Sequence, residues 1–278
     1  MVNAHGWYVR FLYLSPVVLR RNLCAESSCM ANIGPVNTLL RRATGCRQIG
    51  INRLAGIRNM ESKKGPDLSD VAKIEEVVDH PVELFRIWRD EACRYKATLV
   101  DICCLSTVSK DCKVSARSIV LREFDNDGFV IVTDSRSKKV DNIDNVPYVA
   151  MCFVWYHVNE QQQKVMKQVR VEGTMKRLER ESFKHLYDRE PLFCKIRSHI
   201  CNQGRDVNWE ELKQRHDEIL DSVRRGENDL PMPDHFVGYK LFPTMMEFYF
   251  GRDYLIADRI LYQKNASNDS WENHRIAA

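Results

Sequence analysis

The chain has 278 residues, 44% of them apolar, and a formal net charge of +4, which is enough apolar mass to bury a core and speaks against a disordered chain. The charge is uneven: residues 1–60 hold eight Arg, no Lys and a single acid, Glu26, leaving 34 basic and 37 acidic residues over 61–278. A slightly acidic folded part argues against a nucleic-acid binder, and no apolar run approaches the ~20 residues of a membrane helix.

Residues 1–60 are Arg-rich, acid-poor and dotted with Ser, Leu and Ala. That is the composition of a mitochondrial transit segment, and equally of a disordered extension. A secretory signal fits less well, because "FLYLSPVVL" is broken by Pro16 and followed by Arg20 and Arg21. Met60 offers an alternative start and a leaderless cytoplasmic form. The expected location is therefore mitochondrial or cytoplasmic.

A polar linker, "ESKKGPDLSD", leads into "DHPVELFRIWRDEACRYK", whose pattern predicts a helix. Asp79 or His80 caps it, Pro81 suits the first turn, and Val82, Phe85 and Trp88 recur on one face. Strand-like runs follow: "TLVDICCLSTV", "RSIVLREF", "GFVIVTD", "YVAMCFVWY" and "KQVRVEGTMKRL". The second and third flank Asp125-Asn126-Asp127-Gly128, a turn sequence that predicts a β-hairpin. "NEQQQKVMK" reads as an enlarged hairpin loop. Two helical patterns come next, "ERESFKHLYDRE" and "NWEELKQRHDEILDSVRR", the latter with Leu212, Ile219, Leu220 and Val223 as an apolar stripe for the core. After "ENDLPMPD", "HFVGYKLFPTMMEFYFG" and "LIADRILYQ" read as closing strands. The order predicts one domain over 61–278, mixed β with helices and built on a small antiparallel barrel.

The ten cysteines contain no C-x-x-C pair and the eight histidines no H-E-x-x-H, so neither a structural metal nor a disulfide framework is expected. The predicted hairpin carries more chemistry. It opens with Arg117, holds Arg122, and ends in Ser137-Lys138-Lys139. Those cations either decorate a solvated strand edge or converge on an anion.

The strings "KVSARSIVLREFDNDGFVIVTDSRSKK", "QVRVEG", "GYKLFPTMMEFYFG" and "DRILYQ", with a Trp near the C-terminus, resemble the pyridoxamine 5′-phosphate oxidase family in the family's own order, from about residue 76 onward. The resemblance implies an FMN-binding split β-barrel that dimerises around two flavins. Arg117, Lys138 and Lys139 match positions that grip the FMN phosphate, and Ser118, Ile119, Val120, Val132 and Thr133 match positions lining the flavin. Gln168 matches a glutamine at the ring system. Gln203, Tyr249 and Arg259 match cofactor positions that the family supplies from the second subunit; Tyr249 stands where Trp is usual and Gly204 where Ser is. Taken singly these residues have plainer readings, such as an Arg259–Asp258 ion pair.

The same resemblance implies oxidation of pyridoxamine or pyridoxine 5′-phosphate to pyridoxal 5′-phosphate by O2. The departures lie on that substrate side. A family Lys reads Arg122. By spacing, a Tyr-Arg-Ser trio falls on Leu186, Glu190 and Cys194, with Arg189 one residue away. An Arg-x-His reads Leu255-Ile256-Ala257, and no Arg-Lys-Ser-Tyr precedes the first helix. Arg122 and Arg189 remain as candidates to hold substrate phosphate, and the catalytic residues are unassigned. The alternative function is a flavin-binding paralogue with little oxidase activity that acts as a binding or regulatory protein.

Overall fold

The computed structural model describes residues 70–278, so the leader, the alternative start at Met60 and most of the linker lie outside the described residues. Helix α1 (Pro81–Arg94) begins where the sequence places it. The His80 ring Nδ1 accepts the Val82 N–H at 3.3 Å, and Pro81 takes the first helical position. Its buried face, with Val82, Phe85 and Trp88, drives into the sheet, where Phe85 meets Phe124, Phe129 and Phe153 edge-on. Edge-to-face packing of this kind adds to the gain from area burial.

The strands are β1 (Ile102–Val108), β2 (Val114–Val120), β3 (Glu123–Asp125), β4 (Gly128–Asp134), β5 (Tyr148–Val158), β6 (Lys164–Arg177), β7 (Phe236–Arg252), β8 (Asp258–Lys264) and β9 (Trp271–Arg275). They form one antiparallel sheet in the order β2-β1-β5-β6-β7-β4-β3, with β8 added to β7 and β9 to β8. β2 and β3 stand at opposite ends of that path, yet only Leu121 and Arg122 separate them in sequence. The chain can step from one end to the other only if the sheet curls around. At that seam the Leu121 N–H donates to the Asp101 carbonyl at 2.7 Å and the Arg122 N–H to the Val130 carbonyl at 2.9 Å. The result is a split β-barrel with helices, the expected fold class.

This closure corrects the hairpin expectation. "RSIVLREF" is not one strand: β2 pairs with β1, and only β3 pairs with β4. The turn chemistry itself holds, because Asp125 Oδ1 accepts the N–H groups of Asp127 and Gly128 at 2.9 and 3.1 Å. The "NEQQQKVMK" loop shrinks to residues 159–163, since β6 already begins at Lys164; Asn159 Oδ1 tightens it by accepting from Gln161 and Gln163. β9 was not expected beyond its Trp271.

Five helices are present among the described residues. α3 (Arg180–Asp188) and α5 (Trp209–Arg224) answer to predicted patterns, whereas α2 (Lys138–Asn145) and α4 (Leu192–Ile200) do not. α5 has no buried residue, so its Leu212-to-Val223 stripe is not core. It packs against α4 rather than on the sheet, where α1 already fills the interior. None of the described helices is long and apolar enough to cross a membrane.

Candidate functional site

Arg117 sits on β2 directly opposite Leu105 of β1. Directly opposed residues share a sheet face, and Leu105 is wholly buried, so Arg117 is directed to the inner face. Its Nη1 donates to the Leu105 carbonyl at 3.1 Å and to Thr107 Oγ1 at 2.8 Å. Lys139 arrives from the first turn of α2. Its Nζ donates to Thr133 Oγ1 near the end of β4 at 3.0 Å and to Gln203 Oε1 beyond α4 at 2.8 Å. Burial first, and the Arg117 guanidinium second, bring the Lys139 ammonium down to about 8. Burial lowers the Arg117 pKa as well.

No carboxylate of the described residues pairs directly with these charges, although Asp134 is near enough to favour the Lys139 ammonium. Among the described residues Arg117, Lys138 and Lys139 form no ion pair, and the nearby Asp134 is taken by Arg136 at 2.6 Å. Ser137 opens α2 as its N-cap; it is buried and its hydroxyl has no hydrogen-bond partner. Two mutually repelling cations, the free N–H groups of a helix start and an orphan hydroxyl together suit an anion with several acceptor oxygens. A phosphate ester fits this cradle.

A second group lies elsewhere. Gln168 of β6 pairs with Val154 of β5 and Tyr249 of β7, and Tyr249 pairs with Arg259 of β8. Gln168 sits between buried Lys167 and Val169, so by strand alternation it is on the outer face, opposite to Arg117. The Arg259 guanidinium carbon lies 5.5 Å from the Tyr249 ring centroid, and its Nε 3.7 Å from Glu247. The plainer Arg259–Asp258 pair is absent: Asp258 instead binds the Ile74 N–H at 2.8 Å and Arg275 at 3.1 Å. An amide, a flat aromatic ring and a cation in one row form a platform for a planar polar ring system.

The predicted cofactor residues thus fall into two sets. Arg117, Thr133, Lys139 and Gln203 converge, whereas Gln168, Tyr249 and Arg259 share a row on the other face. Gln203 was expected to act from the second subunit, but it reaches Lys139 within one chain. Lys138 is exposed and joins neither set. Ser118 and Val120 are on the β2 face opposite Arg117, Ile119 packs on the core, and Val132 packs beside Val130 and Phe183. Sequence reasoning passed over Thr107 and Ser137 as binding groups. Ser137 carried a usable signal, an N-cap residue at the start of an amphipathic octapeptide.

On the substrate side, Arg122 forms an ion pair with Glu190, whose side chain is 4% exposed against 29% for Arg122. The Cys194 thiol is pushed up to about 11, by burial first and with a contribution from Glu190. Leu186 packs with Val130 and Phe183. Simple spacing therefore brings Glu190 against Arg122, while Arg189 is exposed at the C-cap of α3 and does not join it. Leu255, Ile256 and Ala257 precede β8, where the Ile256 carbonyl accepts the Ala72 N–H at 2.8 Å.

Comparison with known proteins adds a family to this geometry. Residues 90–204 match the model described as pyridoxamine 5′-phosphate oxidase, and residues 236–278 match that of the pyridoxine 5′-phosphate oxidase C-terminal dimerisation region. The pyridoxine/pyridoxamine 5′-phosphate oxidase of Salinibacter ruber is 31% identical over 206 residues, covering 73% of this chain and 91% of that protein. The chloroplastic pyridoxine/pyridoxamine 5′-phosphate oxidase 1 of Arabidopsis thaliana is 30% identical over 210 residues, 73% of this chain and 37% of that one. Among solved structures, PhzG from Burkholderia lata in complex with tetrahydrophenazine-1-carboxylic acid superposes with a TM-score of 0.66 at 22% identity, over 76% of this chain and all of that one. A pyridoxamine 5′-phosphate oxidase-related FMN-binding protein from Nostoc punctiforme gives 0.53 at 18% identity, over 70% and 97%. At such identities the two structures speak for the fold alone.

Proposed function

Since the chain belongs to the pyridoxamine 5′-phosphate oxidase family, we propose that it is an FMN-dependent oxidase converting the amine or alcohol carbon of a B6 vitamer to the aldehyde. The observation that carries this reading is the Arg117–Lys139 clamp: Arg117 and Asn142 of α2 donate to the same Thr107 oxygen, which brings Arg117 to the helix that carries Lys139, and among the described residues neither cation forms an ion pair, beside a Ser137 hydroxyl without a partner there. In this reading Arg117, Lys139, Ser137 and Thr133 hold the flavin phosphate, and Gln168, Tyr249 and Arg259 hold the ring. When bound, FMN would supply the two-electron acceptor, which molecular oxygen regenerates with release of hydrogen peroxide; an alcohol gives the aldehyde directly, and an amine gives an imine that water hydrolyses to the aldehyde and ammonia. The protein's own part is to hold and orient the flavin.

The two sets lie on opposite faces of one sheet, so a single flavin would draw its phosphate grip from one protomer and its ring platform from another. The match of residues 236–278 to a dimerisation region supports a homodimer, and in this reading FMN sits at its interface. Location is a further proposal. The mitochondrial reading of the Arg-rich leader rests on composition alone, and the one relative named with a location is chloroplastic.

The test is direct: titrate FMN into the purified full-length protein, then assay peroxide release with pyridoxamine and pyridoxine 5′-phosphates. Flavin fluorescence should be quenched, with slow turnover. Absence of quenching would sink the reading. A second reading, a flavin-binding paralogue that regulates rather than turns over, is favoured by the Arg122–Glu190 pair and by the apolar Leu255 and Ala257. Full quenching with no peroxide from either substrate would select it.

A further inference from the structure

Among the described residues one pair of cysteines meets across neighbouring strands. Cys104 of β1 stands directly opposite Cys152 of β5. Cys104 lies between buried Cys103 and Leu105, and Cys152 between buried Met151 and Phe153, so strand alternation turns both to the outer face. Both are free thiols, Cys104 exposed and Cys152 half-buried. Burial first, and Cys104 second, push the Cys152 thiol up, so the two groups act on one another across the strand gap. Cys103 belongs to the inner face. It is 2% exposed, and burial first pushes its thiol up to about 12, which leaves it inert.

The geometry of an antiparallel pair says what such thiols can do. Directly opposed residues have Cα atoms about 4.5 or 5.5 Å apart, and both values lie within the about 4.4–6.8 Å that a disulfide spans. Their Cβ atoms are about 4.5–5.5 Å apart, whereas a disulfide asks for about 3.5–4.5 Å. The bond closes by drawing β1 and β5 together, and a bond closed under strain is readily reduced. Such a link is reversible rather than structural, the kind that a reducing compartment allows. Its place on β1 also gives it a reader. Cys104 adjoins Leu105, whose carbonyl accepts from Arg117 at 3.1 Å, so a shift of β1 displaces the anchor of the anion clamp.

We propose that Cys104 and Cys152 form a redox site that takes hydrogen peroxide as its oxidant and closes to a reversible cross-strand disulfide, loosening the Arg117 end of the clamp. Cys104, the exposed thiol, attacks one peroxide oxygen as its thiolate. The O–O bond breaks, Cys104 becomes a sulfenic acid, and the departing hydroxide takes up a proton to leave as water. The Cys152 sulfur then attacks the Cys104 sulfur. The S–S bond forms, the S–O bond breaks, and a second hydroxide takes up the Cys152 proton. Two thiols and one hydrogen peroxide thus give one disulfide and two waters, the sulfurs supplying both electrons. A small thiol such as glutathione reverses the change by exchange and is itself oxidised. The redox site stands apart from the oxidase reading above; only its effect on FMN rests on that reading.

The full-length protein tests this when treated with hydrogen peroxide, alkylated at its remaining thiols, digested and read by mass spectrometry. A peptide linking Cys104 to Cys152 should appear, and glutathione should abolish it. In Cys152→Ser, Cys104 should stop at the sulfenic acid and be captured by dimedone. In Cys104→Ser, Cys152 should remain open to alkylation. FMN should bind the oxidised wild type about threefold or more weakly than the reduced protein, and should bind both forms of Cys104→Ser alike. Full alkylation of both cysteines after peroxide overturns the proposal, as does a covalent dimer linked through them or a link that glutathione leaves intact. Equal FMN binding by the reduced and oxidised wild type overturns it as well. If the reduced protein binds no FMN, the oxidase reading falls and the linked peptide alone decides the redox site.

Discussion

Lys139 is the residue whose environment makes the sharpest claim. Its ammonium is drawn down to about 8 by burial and by Arg117, so an anion that enters the clamp stabilises the protonated form and raises that pKa. The sign follows from linkage: binding takes up a proton at any pH above about 8, and affinity falls as pH rises through that value, by up to about tenfold per unit. Below about 8, and above the second phosphate ionisation near 6, affinity should be level. Fluorescence titrations of FMN across pH 6–10 check this, and a profile flat up to 10 would refute it. Arg117→Ala and Lys139→Ala should each weaken FMN by roughly one to two decades, the size of a lost charge-assisted hydrogen bond. In the sequence the cluster of cations beside a turn only raised the question of an anion, and the family resemblance is what put Arg117 and Lys139 forward for it. Ser137 and Thr107 were not legible, since small hydroxyl residues are common and their value here comes only from burial and direction. The Arg122–Glu190 pair was half legible. Spacing located Glu190, but only the fold brings a residue at the end of α3 against one at the barrel seam.

At the scale of elements, α1 and most strands could be read from capping and alternation, because those signals are local. The β2–β3 break could not. Residues 117–124 have unbroken strand composition, and their division at Leu121 and Arg122 is imposed by closure of the sheet. α2 was hidden for a related reason. Its eight residues are too few for periodicity to declare itself, and its Val140 and Ile143 find burial only against the finished barrel. α3 depends on a glycine. At Gly238 of β7 an added Cβ would lie 2.6 Å from Phe183 Cδ1, and Phe183 is the buried anchor that holds α3 to the sheet with Leu186 and Val130. Gly238→Ala should therefore overpack that contact and cost about 1–3 kcal/mol, read as a lower melting temperature. Phe183→Leu in the same chain should return part of the loss. An unchanged melting temperature would mean that α3 slides freely on the sheet.

For the molecule as a whole, the charge asymmetry of the sequence separates residues 1–60 from the rest. A protein beginning at Met60 should melt within a few degrees of the full chain. A larger fall would show that the leader packs on the domain. Fusing residues 1–60 to a fluorescent reporter tests targeting separately, and a diffuse cytoplasmic signal would remove the mitochondrial reading.

The arrangement of the two half-sites leads to a stronger test of the assembly. Arg117 and Lys139 are directed to the inner side of the sheet, and Gln168, Tyr249 and Arg259 lie on the outer side. If one flavin needs both, a twofold dimer contains two composite sites, each built from the clamp of one protomer and the row of the other. A protein carrying Arg117→Ala and Lys139→Ala then has two damaged sites per dimer, and so does one carrying Gln168→Ala and Arg259→Ala. Refolded together in equal amounts, half the dimers are mixed. Each mixed dimer collects all four changes in one site and leaves the other intact. About a quarter of all sites should recover tight FMN binding, although neither parent binds it. Were the site contained within one chain, mixing would restore nothing. The experiment thus separates a flavin held between protomers from one held inside each, and it does so through the cofactor alone, whether or not any substrate turns over.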